Sequence, residues 1–280
     1  MIISRPAIDW LTLTTYSKKS MLSMVDVMEQ FTKHVQSQES KVRNYEGRRG
    51  EGFFIGHGQQ NGKDHYMFRF SGDMSDSLTW QKNRPSIDCS RIDLQLTIPL
   101  PCEISESFEL YVDLLRIVKE SEADRGQRER NIDGILSPDG FCTLYVGSRE
   151  SQRFYRLYVK ENSNLHFIRF EVEFKDKNGL AGRVWRDTAK KPESIVEYLK
   201  GELSTLPDHE LTTPLKNALA GVPGEIMKQE RRIADPQKTL AWLRRQVSPA
   251  MKRLMANHDT HDAAMFLLMD WLKFANGLDD

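Results

Sequence analysis

Two stretches of the chain, Arg91 to Ile98 (RIDLQLTI) and Phe167 to Lys175 (FIRFEVEFK), alternate apolar and polar residues almost without a break. An extended chain sends successive side chains to opposite faces, so both stretches read as two-faced strands. In the first, Ile92, Leu94, Leu96 and Ile98 oppose Arg91, Asp93, Gln95 and Thr97; in the second, Phe170, Val172 and Phe174 oppose Arg169, Glu171, Glu173 and Lys175. Strands with one apolar and one polar face suit a largely antiparallel sheet that buries one side only.

A third stretch, Tyr145 to Lys160 (YVGSRESQRFYRLYVK), is the densest mixture of aromatic and basic residues in the chain. Read as a strand from about Phe154, it places Arg156, Tyr158 and Lys160 on one face and Tyr155, Leu157 and Val159 on the other. A tyrosine flanked on its own face by two cations is a candidate nucleophile, and Tyr155 is a core residue. Further strands are expected at Ile8 to Thr15, Phe53 to Gly56, His65 to Ser71 and Phe141 to Val146. The glycine-rich GHGQQNGKD lacks the glycine spacing and the Lys-Ser/Thr of a phosphate loop and reads as a hairpin connection.

Apolar residues at three- and four-residue spacing predict helices over Ser20 to Gln36 and Ser105 to Glu122, the second burying Phe108, Tyr111, Val112, Leu115 and Val118. IDWLTLT in the first half answers IDLQLTI in the second, and Met67-Phe68-Arg69 is matched to Tyr155-Arg156-Leu157, as expected of an internally duplicated strand, helix, strand, strand unit. Asp9 then echoes Asp93. A helix follows at Ser194 to Leu203, then a connector over Pro207 to Pro223, then helices starting at Asp235-Pro236 and Ser248-Pro249 and a last one over Thr260 to Ala275. The expected fold is α+β, a largely antiparallel central sheet with flanking helices over residues 1–205, followed by a helical region over 206–280.

The 280 residues are 39% hydrophobic and 29% charged with no net charge, so no global charge marks a nucleic-acid binder. Local charge is less even: Lys228 to Arg253 carries eight basic residues, Arg244 and Arg245 among them, against Glu230 and Asp235, and two readings fit, a phosphate-contacting surface and a solvated helical face. No stretch approaches the roughly 20 apolar residues of a membrane span, and a cytoplasmic protein is expected. Cys89, Cys102 and Cys142 lack the spacing of a zinc or redox motif. His57, His65 and His166 are isolated and read as ordinary surface or hydrogen-bonded histidines.

If the three strands are neighbours, Asp93, Gln95, Arg156, Tyr158, Lys160, Glu171 and Glu173 converge. Two readings fit. One is a solvated face with cross-strand ion pairs. The other is a phosphoryl-transfer site, in which carboxylates hold a hard divalent cation and nearby cations draw Tyr158 toward its phenolate.

The segment YVGSRESQRFYRLYVK, with RIDLQLT before it and IRFEVEF after it, resembles the signature of the trans-acting replication initiators of rolling-circle plasmids, a group that includes phage initiators and related relaxases. The resemblance implies an HUH-related endonuclease and strand transferase over about Ile8 to Lys175. Tyr158 is then the nucleophile at a replication origin, giving a 5′-phosphotyrosyl link, with Arg156 and Lys160 offsetting charge. Asp93 and Glu171, with Glu173, belong to the Mg2+ or Mn2+ set, although Thr97 stands where many members carry a second acid. Arg149, Arg153, Arg244 and Arg245 are candidate DNA contacts. Single-stranded or extruded origin DNA, a host helicase and polymerase, and a second copy of the chain are the implied partners. A conjugative relaxase and a DNA-binding regulator without catalysis are the alternatives.

Overall fold

In the computed structural model, the described residues are 4–32, 36–78, 86–123, 130–175 and 179–220. The helices expected beyond residue 220, with Arg244 and Arg245, lie outside them. The described helices include none long and apolar enough to cross a membrane.

Among the described residues, ten strands form one sheet in which every neighbouring pair is antiparallel. They are β1 (Ser4–Thr15), β2 (Ser37–Val42), β3 (Tyr45–Gly50), β4 (Phe53–Gln60), β5 (Lys63–Ser71), β6 (Asp88–Pro99), β7 (Ile132–Ile135), β8 (Thr143–Val146), β9 (Arg153–Asn162) and β10 (Leu165–Lys175). The described helices are α1 (Lys18–Thr32), α2 (Asp73–Leu78), α3 (Ile104–Ala123), α4 (Leu180–Lys190), α5 (Ser194–Leu203) and α6 (Thr213–Ala218).

The strand order β2-β3-β4-β5-β1-β6-β10-β9-β8-β7 is the same arrangement read outward from either side of the central β1–β6 pair. Each central strand leads into a helix and then a four-strand meander whose last strand returns to pair with it. The repeat expected from IDWLTLT and IDLQLTI is therefore present in the topology. Its second match is different: Met67-Phe68-Arg69 lies on β5, the counterpart of β10, so Phe68-Arg69-Phe70 answers Ile168-Arg169-Phe170 and not the Tyr155 segment.

Turn chemistry repeats as well. Asn61 and Gly62 (φ 53° and 72°) close β4–β5, and Ser163 and Asn164 (φ 52° and 62°) close β9–β10, both two-residue turns with positive φ at each centre. The connection expected over GHGQQNGKD is thus much shorter, and Gly56 and Gly58 belong to β4. A Cβ at Gly56 would stand 2.6 Å from the Phe54 ring and one at Gly58 2.4 Å from the Asn44 carbonyl oxygen, which is why glycine occupies those strand positions.

The apolar face of the sheet and the helices share one core. Ile92, Leu94, Leu96, Phe170, Val172 and Phe174 cluster with Met28 of α1, Tyr111 of α3, Val184 of α4, Leu199 of α5 and Leu215 of α6. Burial of this kind contributes about 25 cal/mol per Å2 of apolar surface removed from water. Leu206, Leu211 and Leu219 join the same cluster, so the chain stays in this core past residue 205. In α3 the outward residue is Val112, 38% exposed, and the buried one is Leu114. The expected stripe included the wrong member of that pair.

Glu202 of α5, with no exposed surface, ties the helices to β9: the Tyr155 hydroxyl donates to its carboxylate at 2.7 Å and Arg153 Nη1 lies 3.4 Å away. Tyr155 is therefore a core residue, as its strand parity predicts. Replacing it by phenylalanine removes a hydrogen bond to a buried charge while keeping the ring. We expect Tyr155→Phe to destabilise the fold by about 1–3 kcal/mol in urea denaturation, and a wild-type midpoint would refute this account of Glu202.

Candidate functional site

The strands β6, β10 and β9 are consecutive neighbours, so their polar faces do converge. Register makes the convergence specific. Glu173 lies opposite Asp93, Glu171 lies between Gln95 and Arg156, and Arg169 lies between Thr97 and Tyr158. Directly opposed residues share a face with Cβ atoms about 5 Å apart, so the side chains meet.

Asp93 is 1% exposed and accepts from Arg91 at both oxygens, Nε to Oδ1 at 2.8 Å and Nη2 to Oδ2 at 2.5 Å. Arg156 Nη2 reaches the same Oδ2 at 2.9 Å and also stands 2.9 Å from Glu171 Oε2 and 4.0 Å from Glu173 Oε2. Glu173 is held by Arg91 at 3.1 Å and Lys175 at 3.0 Å. Arg169 Nη1 lies 3.6 Å from Glu171 Oε1 and 3.4 Å from Asp9 Oδ1, while its Nε donates to Thr97 at 2.8 Å. Asp9 reaches the group because a register shift between Ile8 and Trp10 turns it toward Arg169. It is a participant in the site as well as the topological counterpart of Asp93.

The Tyr158 hydroxyl donates to Glu171 Oε1 at 2.5 Å. Burial raises the phenol pKa well above its ordinary value, and the negative charge of Glu171 raises it further; the nearby Arg169 opposes both and is outweighed. This corrects the expectation that flanking cations favour the phenolate. The guanidinium of Arg156 is committed to Asp93 and Glu171, and Lys160 is exposed one pleat further along β9, so the phenol keeps its proton and shares it with a carboxylate.

The acids do not fit a divalent cation as they stand. Every carboxylate oxygen of Asp93, Glu171 and Glu173 already faces a guanidinium, an ammonium or the Tyr158 hydroxyl. Among the described residues no group of three or more His, Cys, Asp or Glu is arranged to hold a metal. Asp9, Asp93, Glu171 and Glu173 are balanced by Arg91, Arg156, Arg169 and Lys175, and the charge on this face is neutralised within the protein.

The remaining expected residues separate. Arg149 is exposed in the β8–β9 loop, its guanidinium 5.7 Å from the Phe154 ring and 6.0 Å from that of Tyr145. Arg153 has the opposite parity to Tyr158 and pairs with Glu202 on the helix side, away from the site face. Arg91, Arg169 and Lys175 were missed as site residues although they share strand parity with Asp93 and Glu171, a signal present in the sequence. Helix α4, which packs behind β6 and β10, was missed because its buried residues Leu180, Ala181, Val184, Trp185 and Thr188 are diluted by glycine and charge. His65 is buried, accepting from or donating to the Tyr45 hydroxyl at 2.6 Å, while His57 is paired with Asp64 at 3.3 Å.

No protein-family model and no curated protein matches the chain. Among solved structures, the fold is similar to that of a rolling circle replication initiator protein from Geobacillus stearothermophilus, with a TM-score of 0.54 and 15% sequence identity over 78% of this chain and 97% of that one. The likeness is one of fold.

Burial, with the charge of Glu173, pushes the pKa of Asp93 up to about 6 against the opposing pull of Arg91 and Arg156. An acid whose pKa is raised by folding holds a proton in the native state that the unfolded chain has released. Its contribution therefore stabilises the fold at acid pH, declines as the pH rises from about 4 to about 6, and is constant above. The loss amounts to roughly 3 kcal/mol. Urea denaturation at intervals from pH 4 to pH 7 should show a decline in the native protein that Asp93→Asn flattens; equal slopes in both proteins would overturn the account.

Proposed function

We propose that the chain is a replication initiator that nicks and rejoins one DNA strand through Tyr158. The observation that carries this reading is the 2.5 Å hydrogen bond from the Tyr158 hydroxyl to Glu171, on a sheet face where Arg156 and Arg169 flank the same carboxylate. A nucleophile already bonded to a base is the arrangement that covalent catalysis requires. The similarity of fold to a rolling circle replication initiator protein supports the choice of substrate.

In the proposed step the phenol oxygen of Tyr158 attacks a backbone phosphorus as its proton passes to Glu171. The bond from phosphorus to the 3′ oxygen breaks, the tyrosine becomes esterified to the 5′ phosphate, and the proton on Glu171 is delivered to the departing 3′ oxygen. The reverse sequence rejoins the strand. Arg156 and Arg169, which flank Glu171, would offset charge building up on the phosphoryl oxygens, and donors fixed by their ion pairs need little reorganisation at that moment. No step is assigned to a metal, because the carboxylates are occupied by arginines. Lys160 and Arg149, both exposed, are available to incoming phosphates.

A second reading is favoured by the completeness of the ion pairing: a protein that retains the fold and binds DNA without cleaving it. The two differ in a covalent product. We expect an origin-type single-stranded oligonucleotide to give a protein–DNA adduct that survives denaturation, that is absent in Tyr158→Phe and that falls about 100-fold or more in Glu171→Gln. Parallel reactions with Mn2+ and with EDTA read whether an added cation displaces Arg91 or Arg156 from the acids. An adduct that persists in Tyr158→Phe would refute the nucleophile, and binding with no adduct under any condition would establish the second reading.

A further inference from the structure

The duplicated topology gives the site a counterpart in the first half, and the two can be compared position by position. Arg69 on β5 corresponds to Arg169 on β10, each the arginine of a matching Arg-Phe pair. Opposite Arg69 stands Phe54, where Tyr158 stands opposite Arg169. Two residues after Arg69 is Ser71, where Glu171 follows Arg169 by two. The first half thus has the arginine without the phenol and without the carboxylate.

The first half therefore carries positive charge without facing acids. Among the described residues, Arg43, Arg49 and Arg69 make no ion pair, and the Nε of Arg69 is buried with no hydrogen-bond partner. Register aligns Arg49 and Arg69, while Arg43 lies in the β2–β3 turn, near enough for its charge to act on Arg69. Arg49 of β3 lies opposite Phe54 of β4, Phe54 opposite Arg69 of β5, Arg69 opposite Thr12 of β1, and Thr12 opposite Arg91 of β6. Arginines therefore recur on every second strand of one face, roughly 10 Å apart given the spacing between neighbouring strands. Trp10 braces the row, its ring 5.9 Å from the guanidinium of Arg69 and 5.1 Å from that of Arg91. Burial and the charges of Arg43, Arg91 and Arg49 lower the pKa of Arg69, as expected for cations gathered around it. At its far end the row meets Arg91, which holds Asp93 beside Arg156 and the Tyr158–Glu171 pair.

We propose that the first half of this sheet face is a phosphate track for single-stranded DNA, in which Arg43, Arg49 and Arg69 hold the backbone of the strand presented to Tyr158. Unpaired guanidinium forks match phosphate oxygens in charge and geometry, and a row one residue wide follows one backbone. The absence of facing acids is what opens the track: a glutamate in place of Ser71 would occupy Arg69 as Glu171 occupies Arg169. The inference rests on the strand-transfer reading for its substrate, so its test is made independent of cleavage.

The test uses the full chain carrying Tyr158→Phe and a fluorescent single-stranded oligonucleotide of about 30 nucleotides, with anisotropy measured across a salt series. Adding Arg43→Ala and Arg49→Ala should weaken binding about 10-fold at low salt and reduce the slope of log K against log salt by about 1.4, the value for two phosphate contacts on a single strand. A charge-matched control, Arg116→Ala with Lys119→Ala on the exposed side of α3, should leave the slope unchanged. A third variant, Ser71→Glu, should weaken binding by supplying the acid that the first half lacks. Wild-type affinity in the Arg43 and Arg49 variant, or an equal loss in the control, would overturn the track. An equal loss for duplex DNA of the same length would overturn its restriction to single strands. Absence of any adduct from the wild-type protein would bear on Tyr158 alone and leave this measurement standing.

Discussion

A single guanidinium, that of Arg156, organises the candidate site. Its Nη2 stands 2.9 Å from both Asp93 and Glu171, carboxylates on two different strands that are each almost fully buried. Isolated buried carboxylates are costly, and removing one partner of such a set leaves an uncompensated charge whose penalty is several kcal/mol. The acids of β6 and β10 can therefore share a face only because Arg91, Arg156, Arg169 and Lys175 are interleaved with them. That interleaving is a consequence of antiparallel register, and register in turn is held by the continuous apolar side of the same strands, since a one-residue slip would drive Asp93, Glu171 and Glu173 into the core.

The same logic explains which parts of the molecule were legible in the sequence. Strict alternation in RIDLQLTI and FIRFEVEFK identifies two strands, their faces and their acids, because nothing but period is needed. Parity also separates Tyr158 from Tyr155, and Tyr155 does point into the core to meet Glu202. Period alone is silent on partners. Glu202 sits on a helix and Asp9 on a bulge, so neither contact follows from local pattern, and β2, β3 and β7 are polar, short strands at or near the sheet edges that carry too few apolar residues to declare themselves. Period is equally silent on the fact that cations of the same parity face the carboxylates.

In the proposed strand transfer, which would run in both directions, the raised phenol pKa has a chemical consequence. A preformed phenolate would be a ready nucleophile, but the tyrosine would then leave with its charge uncompensated by a proton when the ester is resolved. A phenol whose proton is shared with Glu171 avoids this asymmetry. In that proposed reaction the carboxylate would remove the proton as the ester forms and return it as the ester breaks, and burial, which raises the phenol pKa, would keep that proton within the hydrogen-bonded pair. The first half of the sheet has the complementary economy. With Phe54 and Ser71 in the corresponding positions it has no proton to move, and an arginine without a local acid is free to take its counter-charge from outside the protein. One repeated frame thus holds a neutralised face carrying the Tyr158–Glu171 hydrogen bond and an un-neutralised one side by side across the β1–β6 pair.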